Sequence, residues 1–302
     1  ALITPFTKSG AVDEAAVRRL AGAPVLVIGD AMLDRYVYGA VDRLSPEAPV
    51  PVLKIENELS VPGGAANVVR NLHALKAAVA FVSIIGDDDA GTTLLSSLTA
   101  QGVDVSGVRR VDAPTGIAMI VVDGAGENQI VVAPGANDQV TAGHVDIAAA
   151  DAVLCQLEIP MSTLIDVASR TTGMFCLNAA PAAPLPSVLV QRADLVIVNE
   201  HEYRAIGVLD TAPMVAITLG AEGAVLLERG REVARATAPV VDAVDTVGAG
   251  DAFCAALVAG LVTGMPAQDA LGRACTAGAI AVTRYGAQPS LPDLAELSAW
   301  ST

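Results

Sequence analysis

The sequence predicts an α/β fold: a mostly parallel sheet with helices on both faces, carrying a small β-strand lid. Three observations lead there. Short, wholly apolar runs recur along the chain, as in strands buried on both faces. Segments with helical periodicity lie between most of them, which parallel strands require. Two strand-like segments interrupt this alternation and have no place in a doubly wound core.

The first apolar run, Ala23-Pro-Val-Leu-Val-Ile-Gly-Asp30, reads as a buried strand entering a functional loop over Gly29–Asp34. Similar runs are Val79–Ile85, Ala152–Leu157, Met174–Leu177, Leu195–Val198, Val215–Thr218 and Ala224–Leu227. Helices are predicted over Ala65–Leu75, Ala90–Gln101, Ser162–Ser169, Pro186–Arg192 and Glu200–Ala205, then over 251–263 and 267–283. The interrupting segments are Tyr36–Gly39 with Val50–Glu58, punctuated by Pro46, Pro49 and Pro51, and Thr115–Val122 with Asn128–Ala133 around Asp123-Gly-Ala-Gly-Glu127. The second pair reads as a hairpin. Together they are expected to form the lid, over about 36–58 and 115–133. In such sheets ligands sit beyond the carboxyl ends of the strands. That end is expected to hold Gly29–Asp34, Gln156–Glu158, Asn199–Glu202 and Thr218–Gly220.

A chain of 302 residues suits one large domain, over 23–302, with a small appendage over 1–22. Hydrophobic residues make up 53% and aromatics only 3%, so Ala, Val and Leu must fill the core. The opening Ala-Leu-Ile-Thr-Pro-Phe-Thr-Lys lacks the basic region and apolar core expected of a signal peptide, and no apolar run reaches the length of a membrane span without a charge or a Pro or Gly break. A cytoplasmic protein is expected. Cys155, Cys176, Cys254 and Cys275 are far apart in apolar segments and read as buried free thiols. His73, His144 and His201 form no metal or triad pattern. A net charge of −15 argues against non-specific nucleic-acid binding, which needs a basic footprint.

The chemistry concentrates in Asp245-Thr-Val-Gly-Ala-Gly-Asp251, followed at once by the apolar run Ala-Phe-Cys-Ala-Ala-Leu-Val. Gly248, Ala249 and Gly250 allow a sharp turn and leave amides uncovered, and the helix start adds further N–H groups and a positive dipole end. Together they make an anion hole suited to a phosphate. Asp251 at its edge is placed to take a hydroxyl's proton, as phosphoryl transfer to an alcohol requires. An ordinary loop-to-helix junction, with Asp251 as N-cap, would use the same residues. A Walker A sequence is absent.

The 245–251 stretch resembles the C-terminal signature of the ribokinase-like (PfkB) sugar kinases, and Gly63-Gly64-Ala65-Ala66-Asn67 resembles their N-terminal Gly-Gly…Asn motif. The resemblance implies a ribokinase-like three-layer sandwich, ATP as phosphoryl donor, and a lid over the sugar that pairs between the subunits of a homodimer. It makes Asp251 the catalytic base and Asp34, Gly63, Gly64, Asn67 and Glu158 the acceptor ligands. In the motif, glycine is expected where a side chain would occupy the sugar's place. Asn199-Glu-His-Glu202 resembles the family's Asn-x-x-Glu element, which organises Mg2+ and phosphate through water. Thr218-Leu-Gly220 resembles the nucleotide-contacting strand end. Ala281-Val-Thr-Arg-Tyr-Gly-Ala-Gln-Pro-Ser290 resembles the loop that wraps K+ together with Asp245, which implies Asp245, Val247, Ala281, Arg284, Gly286 and Ser290 as its ligands.

The resemblance is a mosaic. From about 104 onward the chain is similar to bacterial ribokinases, through Glu127-Asn-Gln-Ile-Val-Val-Ala-Pro-Gly-Ala-Asn137 and Gln156-Leu-Glu-Ile-Pro160. Residues 24–95 are more similar to heptose-7-phosphate kinases, through Gly29-Asp-Ala-Met-Leu-Asp-Arg-Tyr36 and Ser45-Pro-Glu-Ala-Pro-Val-Pro-Val52. Ala65 stands where ribokinases usually carry Lys. Residues 1–20 resemble the opening of dihydrodipicolinate synthase-type aldolases, too short for that barrel. The expected reaction is ATP-dependent phosphorylation of D-ribose to ribose 5-phosphate. Phosphorylation of a heptose 7-phosphate is the alternative, with Arg35 and Arg43 as candidate partners for its phosphate. A sugar- or nucleotide-sensing pseudokinase is the non-enzymatic alternative.

Overall fold

The computed structural model describes residues 24–47, 51–123, 128–143, 147–288 and 290–300. The expected leader, Pro49, His144 and the turn residues 124–127 lie outside them, as does the Arg43 side chain. Among the described residues one sheet has nine strands: β1 (Pro24–Ile28), β4 (Ala78–Gly86), β5 (Asp104–Val111), β8 (Ala152–Gln156), β9 (Met174–Asn178), β10 (Leu195–Asn199), β11 (Met214–Thr218), β12 (Ala224–Glu228) and β13 (Arg231–Ala236). Their spatial order is β13-β12-β11-β10-β9-β8-β1-β4-β5. Pairing is parallel from β11 to β5 and antiparallel at β11–β12 and β12–β13.

The apolar runs are continuous because alternate residues feed opposite faces. Val25 and Val27 of β1 enter one core and Leu26 and Ile28 the other. The first core is covered by α1 (Ala65–Ala74), α2 (Asp89–Ala100), α6 (Ala249–Val262), α7 (Ala267–Ala281) and α8 (Leu294–Ala299). The second is covered by α3 (Met161–Arg170) and α4 (Ser187–Arg192), with α5 (Glu200–Ile206) at its edge. This is the three-layer arrangement expected. Small residues let α6 and α7 approach closely: a Cβ built on Gly260 would lie 3.1 Å from that of Ala270. All four cysteines are free and buried.

A second sheet has four strands, β2 (Ala31–Leu44), β3 (Pro51–Gly64), β6 (Gly116–Val122) and β7 (Asn128–Ala133), in the order β3-β2-β6-β7. Its strands are longer than the sequence suggested. The expected loop over Gly29–Asp34 is only Gly29 and Asp30, and Asp34 stands within β2. Likewise β3 continues through Gly63 and Gly64 into α1. Glycine and proline there read as breakers, but pairing along β2 holds the backbone extended, with Gly63 opposite Met32 and Gly64 opposite Ala31. The corner between β1 and β2 is fixed by Asn137, fully buried. Its Oδ1 accepts the Ala31 N–H at 2.8 Å and its Nδ2 donates to Ala31 O at 3.2 Å.

Strands β5 and β13 and helix α8 escaped the sequence reading. Both strands are sheet edges, Asp-Val-Ser-Gly-Val-Arg-Arg-Val and Arg-Glu-Val-Ala-Arg-Ala, whose charges suit an exposed edge and break the apolar pattern.

Candidate active site

Helix α6 begins beyond the carboxyl ends of the parallel strands. Its N-cap is Gly248, at φ 81°, a left-handed conformation that glycine adopts without strain. The helical ladder opens with Ala252 N–H donating to Gly248 O at 2.9 Å, so the amides of Gly250 and Asp251 precede it. Nothing stands within 4 Å of where a Gly250 side chain would project. Asp251 lies in the first helical turn and is not the N-cap, which removes the ordinary capping role. Its carboxyl is pushed up to about 7, by burial above all and then by the charges of Asp34 and Glu158; a hydrogen bond from the Asn67 side chain acts in the opposite direction.

The two neighbouring glycines meet carboxyls. A Cβ built on Gly63 would lie 2.1 Å from the Asp34 carboxyl carbon, and one on Gly64 would lie 1.7 Å from Asp30 Oδ2. Gly64 also sits at φ 61°, ψ −143°, a region essentially closed to other residues. The steric reason for this pair therefore differs from the one expected: protein acids occupy the side-chain space. Burial and then Glu158 push the Asp34 carboxyl up to about 7. Burial likewise raises Glu158. Asp30 is fully buried and held well above the ordinary range by that burial, then by Glu158 and, more weakly, Asp251. Its Oδ1 accepts the Ala65 N–H at 3.3 Å, while Oδ2 has no partner. The buried oxygens Asn67 Oδ1 and Gln156 Oε1 also lack partners. Of these residues Gln156 and Glu158 face open space, where their oxygens suit a molecule bearing hydroxyl donors.

A cavity of about 490 Å³ joins these parts; Gly64, Gln156, Glu158, Gly248, Gly250 and Asp251 line it, as do Asn199, Glu202 and Thr218. Asn199 and Glu202 form a capping box on α5, with Asn199 N–H donating to Glu202 Oε2 at 2.7 Å and Glu202 N–H to Asn199 Oδ1 at 2.8 Å. A second cavity of about 390 Å³ adjoins it and shares Thr218 and Gly250. Its walls are mostly apolar: Ala238, Pro239, Val241, Phe253, Ala279 and Val282, with Gly220 and Ala249 also on the lining.

Behind the α6 turn, Asp245 Oδ1 accepts the Val247 N–H at 3.0 Å and Oδ2 the Gly286 N–H at 2.8 Å. Ser290 is fully buried and donates to Ala287 O at 3.1 Å. Ala281 ends α7, and the Arg284 side chain turns outward to pair with Glu296. Among the described residues no group of three or more His, Cys, Asp or Glu is disposed to hold a metal ion.

Of the sequence-predicted residues, Gly64, Glu158, Asn199, Glu202, Thr218, Gly220 and the Gly248–Asp251 turn line the two adjoining cavities. Asp34 and Asn67 stand close enough to act on Asp251, Gly63 meets the Asp34 carboxyl, and the Asp245 and Ala281–Ser290 segments lie behind the turn. Asp30 and Gln156 fall within the expected site loops Gly29–Asp34 and Gln156–Glu158 but had been given no role of their own, and the apolar slot over 238–241 was not foreseen. Asp30 had a signal, an acid directly after a wholly apolar strand. The slot had none, because Ala238-Pro-Val-Val241 carries no periodicity.

The sequence profile of the pfkB family carbohydrate kinases matches residues 23–294. The bifunctional protein HldE of Acidiphilium cryptum is 33% identical over 315 residues, covering 92% of this chain and 64% of its own. The chain therefore spans a little under two thirds of that relative's length. Ribokinase of Schizosaccharomyces pombe is 32% identical over 248 residues, covering 72% of this chain and 78% of its own. Among solved structures, ribokinase from Thermotoga maritima superposes with a TM-score of 0.83 at 29% identity, covering 92% of this chain and 99% of that one. Ribokinase of Arabidopsis thaliana, complexed with ribose and ATP, superposes with a TM-score of 0.81 at 26% identity over 91% of this chain and 97% of that one.

Proposed function

The chain belongs to the pfkB family of carbohydrate kinases, phosphotransferases with an alcohol acceptor, and from that premise we propose that it transfers the γ-phosphoryl group of ATP to the primary hydroxyl of D-ribose. The observation that carries this is the place of Asp251, on the acceptor-rich cavity and directly beside the apolar slot. The slot suits a purine ring, which is flat and largely apolar. Thr218 and Gly220 stand at its mouth, and Asn199 faces the same junction. The triphosphate would then run over Gly250 towards Asp251.

Asp251 takes the proton of the primary hydroxyl as its oxygen bonds to the γ-phosphorus and the bond to the ADP oxygen breaks. A carboxyl raised to about 7 suits a base that works near neutrality. Amides of the Gly248–Gly250 turn stabilise the charge on the transferred group. Asp34, Asn67 and Glu158 accept from and donate to ring hydroxyls, over the backbone of Gly63 and Gly64.

Magnesium fits as an ion held mainly by phosphates and water, with Glu202, which lines the cavity, as an outer partner. It would neutralise phosphate charge. Potassium fits beside Asp245, whose oxygens each keep a lone pair after accepting one N–H. Val247, Ala281, Arg284, Gly286 and Ser290 would offer carbonyl or hydroxyl oxygens. Turnover should be faster in potassium than in tetramethylammonium at matched ionic strength; equal rates would sink this ion assignment.

A heptose 7-phosphate is the second reading, favoured by the likeness of residues 24–95 to heptose-7-phosphate kinases. One feature weighs against it. Side chains alternate along β2, so Arg35 points away from the face that carries Asp34 and Tyr36, and it is exposed. A coupled ADP-release assay over ribose, other pentoses, fructose and heptose 7-phosphate tests the choice. The specificity constant should be highest for ribose, and a higher value for heptose 7-phosphate would reverse it.

The four-stranded sheet is the proposed lid and dimer surface. Leu59 and Ile130 lie in register with Tyr36 and Val132 with Asp34, so all share the site-facing side, where Leu59, Ile130 and Val132 are about half exposed. A second copy of the chain would cover them. Ile130→Asp should turn a dimer into a monomer by light scattering, and a wild-type monomer would dismiss the idea. No helix among the described residues is long and apolar enough to cross a membrane. We place the reaction in the cytoplasm, where ATP is supplied; a cell fractionation that finds the protein elsewhere would refute this.

A further inference from the structure

The loop that follows α7 touches both halves of the site. At its start, Gly286 N–H is held by Asp245, the first residue of the anion-turn segment. Next, Ala287 packs under the turn itself: a Cβ built on Gly248 would lie 2.9 Å from Ala287. Then Gln288 Nε2 donates to Pro62 O at 2.7 Å. Pro62 immediately precedes Gly63 and Gly64, the backbone that floors the acceptor cavity. Strand β3 is an edge of its sheet, so its outward carbonyls have no strand partner. Gln288 supplies one from the C-terminal end of the chain, 226 residues away.

We propose that Gln288 is a positioning residue for phosphoryl transfer: it ties the loop bracing the anion turn to the turn flooring the acceptor cavity, and so fixes their separation. Phosphoryl transfer depends on that separation, because reacting atoms must meet within a few tenths of an ångström of the productive distance. Asp245 and Ala287 secure one end of the brace, and the Ser290 hydroxyl holds Ala287 by donating to its carbonyl oxygen. Gln288 makes the hydrogen bond recorded at the other end. The amide is neutral, so the tie does not titrate with the acids of the site.

The inference rests on the kinase reading, and its test separates the two. Gln288→Met keeps the side-chain length without the donor, and Gln288→Glu sets an acceptor against the Pro62 carbonyl. With D-ribose as the probe, kcat should fall about 2- to 10-fold in Gln288→Met, the size of one neutral hydrogen bond, and further in Gln288→Glu, with the KM for ribose changing less. The KM for ATP should stay at its wild-type value, and the melting temperature should fall by no more than the loss of one hydrogen bond gives. Hydrogen–deuterium exchange of the unliganded protein needs no acceptor. Residues 59–66 should exchange faster in Gln288→Met, while the β11 residues 214–218 should not change. Faster exchange over 59–66 in a chain that does not use ribose supports the tie and counts against ribose alone. Unchanged exchange over 59–66 overturns the tie. A proportional change in both KM values with a lowered melting temperature also overturns it, since that is what a merely structural role would give.

Discussion

At the phosphate end, four consecutive residues, Gly248 to Asp251, supply a left-handed turn, the free amides of a helix start and one acid. At the acceptor end, three carboxyls come together from distant segments, Asp30 from the end of β1, Asp34 from β2 and Glu158 from the loop after β8, and they face Asp251 across the cavity. The first end offers donors and open space, the second acceptors and crowding. The difference teaches where each end is vulnerable. A donor site made of backbone survives many side-chain changes. An acceptor site made of close-set acids depends on what its neighbours leave empty.

The largest effect should come from the one side chain the phosphate end cannot replace. Asp251→Asn removes the base and keeps the shape. Turnover should fall by about 10²- to 10⁴-fold, the usual contribution of general acid–base catalysis, while calorimetry finds nucleotide binding intact. Near-normal turnover would remove Asp251 from the mechanism and with it the sharpest distinction between the two ends.

A pair of glycine substitutions tests the comparison directly. Gly64→Ala must place a methyl group where Asp30 Oδ2 lies, at a backbone conformation closed to alanine. Strain and overpacking should together cost at least about 2 kcal/mol, seen as a lower melting temperature. Adding Asp30→Ala should recover part of that loss, because it removes the clash and leaves the backbone strain. Gly250→Ala meets no atom within 4 Å and should fold as wild type. Its turnover should fall all the same if phosphate passes over Gly250. Equal melting temperatures for the two single variants would show that the ends are not built differently.

The same contrast explains what was legible in the sequence. The anion turn is contiguous, so its letters carry its chemistry. Strand–helix alternation was legible for a related reason, since burial on both faces writes itself into runs such as Val25–Ile28. Edge strands β5 and β13 were not legible, because solvent lets charges into them. Asp34 was placed in a loop because the long pairing of β2 with β3, which fixes it in a strand, is written in two segments at once. Asp30 was placed in a functional loop but given no role, because its importance lies in Gly64, more than 30 residues away, and only the folded chain sets the two in contact.

A change of pH should act on stability and on turnover with opposite signs. Asp34 and Asp251 both sit near 7 in the folded protein, against roughly 3.9 for an unfolded aspartate. The folded state therefore binds more protons than the unfolded state between those values, and stability must fall as pH rises through that window. The unliganded protein should melt at a lower temperature at pH 8 than at pH 5, and Asp34→Asn should flatten the slope. Turnover should move in the opposite direction, rising with an apparent pKa near 7 as the base ionises. The acids interact, so that midpoint belongs to the cluster and not to Asp251 alone. Glu158→Gln removes a neighbouring negative charge and should shift the midpoint to lower pH, whereas Glu202→Gln, on the α5 capping box, should leave it in place. A midpoint that ignores Glu158 would mean that the acceptor-end carboxyls do not act on the base, and the two ends would then be electrostatically independent.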